Sequence, residues 1–135
     1  MTRAEQLVAG VRAKGSDARD PRDAAHEACH AIEWKVKRKW TRDNIHAGRP
    51  KLRNRAFGVR DEITARAVEA LVCAELGIEY DLEKWAMTCW MEMLKNEQIS
   101  LPAGDFLPNA IKARMGTTHA KNLMHEILDT FAPTE

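Results

Sequence analysis

No run of about 18 apolar residues occurs in the chain, so no helix in it is expected to cross a membrane. The opening stretch MTRAEQLVAG has neither an apolar core nor a small-residue cleavage site, and a secretory leader is not expected. Cysteine is scarce. Cys29, Cys73 and Cys89 are an odd set without paired spacing, which argues against a disulfide framework and for packed free thiols in a cytoplasmic protein. Alternation of β-branched and polar residues is nearly absent, so the chain is expected to be mainly α, a compact helical domain with little or no β-sheet. At 135 residues a single domain is expected, with 1–19 as an N-terminal helix and linker and 20–131 as the core that carries any site.

Net charge is also small, at +1, but it is unevenly spread. From Lys35 to Arg60 ten Lys and Arg residues meet one acid, Asp43, giving that segment +9 and leaving −8 for the rest. Such a block suits a polyanion, and Lys35, Lys37, Arg38, Lys39, Arg42, Lys51, Arg53 and Arg55 are the candidate contacts to single-stranded nucleic acid. Trp34 and Trp40 flank the basic run WKVKRKW, where they either stack bases or anchor a helix in the core.

Apolar residues recur at helical spacing. A first helix is predicted from about Ala4 to Lys14. The second starts at Asp20, which can cap, and Pro21, whose missing N–H is harmless at the first helical position. It is predicted to run to about Trp40. Residues 41–58, TRDNIHAGRPKLRNRAFG, read as a long loop punctuated by Gly48, Pro50 and Gly58. A third helix is predicted from about Arg60 to Leu76, stopped by Gly77, and a fourth after a cap at Asp81. Two more follow, at about Phe106–Arg114 and Thr118–Phe131. Trp85, Met87, Trp90, Met91 and Met93 supply much of the fourth helix's apolar content and are expected to pack in the core.

The second helix holds the pattern His-Glu-x-x-His in AAHEACH. Positions i and i+4 share a helix face, so the imidazoles of His26 and His30 can meet on one Zn²⁺ at about 2.0–2.1 Å. In this arrangement the glutamate after the first ligand, Glu27, reaches a water on the metal and takes its proton as that water attacks a carbonyl. A third ligand would come from the acids of the third helix: Asp61, Glu62, Glu69 and Glu75. Apolar neighbours in AVEALV imply that Glu69 is partly buried, so it either hydrogen-bonds or ligates. His46, Tyr80, His119 and His125 are weaker candidates for stabilising an oxyanion. Cys29 leaves the helix in another direction and reads as packing.

HEACH, then KLRNRAFG, then RDEITARAVEALVCAELGI, then CWMEMLKN, resembles the zincin-type metallopeptidase domain of ArdC-type antirestriction proteins, related to the ImmA/IrrE metallopeptidases. The resemblance spans about residues 24 to 131. It implies a zincin-like fold, zinc bound by His26, His30 and Glu62, Glu27 as catalytic base, and Trp90 at the family's tryptophan position. It further implies hydrolysis of an amide bond in a protein or peptide substrate, in the setting of phage or plasmid against host. A non-catalytic nucleic-acid-binding or antirestriction module with a structural metal is the alternative. Where the family often shows an acid four positions after the ligand, this chain has Arg66.

Overall fold

The computed structural model describes residues 1–46, 59–95 and 106–133, with the backbone alone over 36–46. Six helices form these parts: α1 (Arg3–Arg12), α2 (Pro21–His46), α3 (Val59–Glu75), α4 (Leu82–Lys95), α5 (Phe106–Met115) and α6 (Thr118–Phe131). No strand occurs among the described residues.

Local chemistry explains where several helices begin and end. Thr2 and Glu5 form a reciprocal box at the start of α1. The Glu5 amide donates to the Thr2 hydroxyl at 3.1 Å, and the Thr2 amide donates to the Glu5 carboxylate at 3.2 Å. Asp20 accepts from the Asp23 amide at 2.8 Å and caps α2, with Pro21 as its first residue. Asp81 accepts from the Lys84 amide at 3.1 Å ahead of α4, and Thr117 accepts from the Ala120 amide at 3.2 Å ahead of α6. Gly77 ends α3 in the left-handed region at φ 71°, which lets the Ile78 amide return to the Cys73 carbonyl at 2.8 Å. The expected loop over 41–58 begins too early, because α2 continues through Thr41–His46. Nothing in that stretch breaks a helix, and the first glycine is Gly48. Residues 47–58 lie outside the described part.

α3 is the centre of the fold. Ile63 to Ala70 are buried without interruption, which requires neighbours on every side. α2, α4, α5 and α6 supply them. On one flank Ala65, Val68 and Val72 join Leu7 and Val11 of α1, Ala24, Ala25 and Ala28 of α2, and Leu123, Ile127 and Leu128 of α6. On the other, Ile63 and Ala67 pack with Ala86, Cys89 and Met93 of α4 and Leu107 and Ile111 of α5. The alanines of α2 matter most for the site, since a surface of single methyl groups lets its backbone approach α3 closely.

α4 corrects the expectation that all its large apolar residues are core. Met93 is fully buried and Trp85 and Trp90 are half-buried, but Met87 and Met91 are exposed. The stripe Ala86, Cys89, Met93 takes the inner face at helical spacing, which turns Met87 and Met91 outward.

At Gly77 a methyl group would meet nothing within 4 Å, so only the positive φ opposes a side chain there. Replacing it with alanine is expected to cost about 1 kcal/mol. The measurement is the thermal midpoint of Gly77→Ala against the parent, with a fall of a few degrees expected and the helical content of the folded state retained.

Candidate metal centre

α2 and α3 lie antiparallel along their shared seam. Arg22, His26 and His30 recur every four residues on α2, and Glu62, Arg66 and Glu69 recur at four and three on α3. The pairs run in opposite order: Arg22 meets Glu69, and His30 meets Glu62. His26 lies between and touches both glutamates.

Three side chains offer ligand atoms to one point. His26 Nε2 is 3.0 Å from His30 Nε2, His30 Nε2 is 3.3 Å from Glu62 Oε1, and His26 Nε2 is 3.8 Å from Glu62 Oε2. The imidazole rings meet edge to face, with centroids 4.6 Å apart. A tetrahedral ion with bonds of about 2.0–2.1 Å needs ligand atoms about 3.3 Å apart, the edge of that tetrahedron. The three separations, those to Glu62 each taken to its nearer oxygen, lie around this value, and the donors, two nitrogens and a carboxylate, suit zinc and related divalent ions. The residues therefore fit the ion. Side-chain exposures of 16% for His26, 15% for His30 and 19% for Glu62 leave the face away from the seam open to solvent.

Burial favours the protonated form of Glu62, but the hydrogen bond with His30 and the charges of His30, His26 and Arg66 outweigh it, and the carboxyl sits below its ordinary range. Glu27 shifts the other way. Partial burial, together with the negative charges of Asp23 and Asp17, raises its carboxyl against weaker opposition from His26 and Arg19.

Glu69 is fully buried and crowded by donors. Its Oε1 accepts from Arg22 Nη1 at 2.8 Å and Arg66 Nη1 at 3.1 Å, and lies 2.6 Å from His26 Nδ1. Its Oε2 accepts from the Tyr80 hydroxyl at 2.7 Å. Burial would raise its carboxyl, yet His26, Arg66 and Tyr80 together hold it below the usual range. Arg66 continues outward to Glu92 of α4 at 3.0 Å, and the Arg22 guanidinium lies 3.6 Å from the centre of the Trp85 ring.

Tyr80, one of the weaker oxyanion candidates, donates its hydroxyl to Glu69. His119 lies 3.6 Å from Glu33, and His125 is exposed on α6. Cys29 is buried, as its reading as a packing residue requires, with Sγ 3.6 Å from Glu33 Oε1. Of the nucleic-acid candidates, Lys35 is exposed. Lys37, Arg38, Lys39, Arg42, Lys51, Arg53 and Arg55 lie outside the described side chains, as do Trp40 and His46. Sequence reasoning overlooked Arg22. Its place one turn before His26 was the available signal.

Two outcomes are expected from these environments. Glu62 and Glu69 both titrate below 4.5 in the fold, so the unfolded chain takes up their protons first. Their stabilisation is complete above that value and is lost as pH falls through and below it. Thermal unfolding of the metal-free protein, followed from neutral to acid pH, is expected to show a falling midpoint there, with a shallower fall in Glu62→Gln. Second, burial pushes the Cys73 and Cys89 thiols up to about 11 and that of Cys29 higher still. Titration with a chromogenic disulfide reagent is expected to find all three slow in the native state and fast in denaturant.

No protein-family model, curated protein or solved structure matches this chain.

Proposed function

We propose that the chain is a zinc-dependent, metallopeptidase-like hydrolase that cleaves an amide bond in a protein or peptide. The observation that supports it is the convergence of His26, His30 and Glu62 with a raised glutamate, Glu27, one residue from the first ligand. His26 and His30 would hold the ion from α2 and Glu62 from α3, leaving the solvent side for water and substrate. Zinc bound there supplies Lewis acidity and lowers the pKa of water to about 7.

The protein's own work is then proton transfer. Glu27 sits in a half-buried position where nearby acids favour its protonated form. A carboxylate whose basicity is raised in this way would accept a proton from the attacking water more readily and pass it to the leaving amine. Cys29 is turned into the core and does not compete for the ion.

By analogy, the resemblance to ArdC-type antirestriction proteins supports a role in conflict or regulation between phage or plasmid and host. The +9 charge of residues 35–60 would bring the domain to nucleic acid, where a DNA-bound protein becomes the natural substrate. That same charge favours a second reading, a non-catalytic nucleic-acid-binding module whose metal is structural.

Glu27→Gln separates the two. Hydrolysis of a peptide library by the zinc-loaded protein is expected to fall by about 10²–10⁴-fold while zinc stoichiometry stays at that of the parent. A variant that keeps both zinc and the full hydrolytic rate would sink the catalytic role of Glu27. A zinc-loaded parent that cleaves nothing but binds single-stranded DNA in a salt-sensitive way would favour the second reading.

A further inference from the structure

We infer that Glu69 is a positioning residue of the metal centre: held in the α2–α3 seam by Arg22, Arg66 and Tyr80, its carboxylate selects the tautomer of His26 whose Nε2 lone pair faces His30 and Glu62. The inference rests on the metal reading above and names what keeps the first ligand ready.

An ionised carboxylate only accepts hydrogen bonds and has about four lone-pair sites. Glu69 uses them fully: three donors converge on Oε1, and Tyr80 and Arg66 reach Oε2 at 2.7 and 3.4 Å. No position remains from which it could ligate an ion. The contact at 2.6 Å also fixes a proton. His26 Nδ1 must carry hydrogen, because a bare nitrogen lone pair that close to Oε1 would be repelled. In a neutral imidazole the other nitrogen is then unprotonated. That nitrogen, Nε2, is the atom that lies 3.0 Å from His30 and 3.8 Å from Glu62. Hydrogen bonding from a buried carboxylate to the far nitrogen of a ligand histidine both orients the ring and makes it a better donor to metal.

The positions of the other partners follow from this role. Glu69 has no exposure to solvent, so its charge persists only with cations beside it. Arg66 supplies one from the preceding turn of α3, and Arg22 supplies another from one turn before His26 on α2. Arg66 also spans to Glu92, which ties the carboxylate's surroundings to α4. A plain structural ion pair would need neither the histidine contact nor its specific nitrogen.

The test uses the full chain, free of metal and then titrated with zinc. Nitrogen NMR under mildly alkaline conditions is expected to show His26 in the metal-free parent as the Nδ1–H form. In Glu69→Gln, whose side chain can donate as well as accept, it is expected to become a mixture of tautomers. Competition with a zinc-binding dye is expected to show about 10–100-fold weaker binding in that variant, with helical content unchanged. His26 as the Nε2–H form in the parent would overturn the inference. So would a folded Glu69→Gln with parental tautomer and parental zinc affinity. If Glu69→Gln does not fold, Glu69→Asp decides, since the shorter side chain keeps the charge but draws the carboxylate back from Nδ1. A partial tautomer shift with weaker zinc binding supports the role, and no change in either overturns it. A parent that binds no zinc would defeat the proposed hydrolase, whereas the tautomer would still decide the role of Glu69.

Discussion

The close antiparallel contact of α2 with α3 is the constraint on which everything else depends. Ala24, Ala25 and Ala28 of α2 share one buried cluster with Ala65, Val68 and Val72 of α3. Across this seam glutamate and histidine side chains meet. The apolar methyls and the polar face lie on neighbouring strips of the same two helices. Packing therefore sets the geometry of His26, His30 and Glu62 before any ion contributes.

The seam carries two carboxylates with different surroundings. Glu62 is partly open and pairs with the histidines, while Glu69 is sealed in and surrounded by arginines and a tyrosine. Two anions two turns apart on one helix would repel if both were left bare. The division of partners separates them: guanidinium groups go to the inner one, and imidazoles are shared with the outer one. A buried ion cluster of this sort adds little beyond what well-packed apolar side chains would, because desolvation offsets much of the attraction. Its value lies in fixing one arrangement of side chains.

Much of this was legible in the chain. Asp20 with Pro21, Gly77 and Asp81 marked helix ends by their backbone chemistry, and the spacing of His26 and His30 announced a shared face. Glu69 stood out because it interrupts apolar neighbours. What sequence could not resolve was direction. α4 is apolar on more than one side, so periodicity alone did not say that Ala86, Cys89 and Met93 would turn inward and Met87 and Met91 outward. The choice between Glu62 and Glu69 was open for a similar reason. Seven residues apart, both lie on one face, and only the antiparallel register of α2 says which meets His30 and which meets Arg22. The end of α2 was misplaced because polar residues without glycine or proline look like loop but continue a helix without strain.

α3 is enclosed by four other helices, and this has a consequence for how an ion would come and go. A carboxylate on a frayed terminus or a surface loop lets its cargo escape whenever that segment breathes. Here Glu62 stands in the first turn of α3, directly before the unbroken buried run from Ile63 to Ala70 that ties this end of the helix to its neighbours. A cation held there would be reached through the side of the imidazoles and of Glu62 that stays open to solvent.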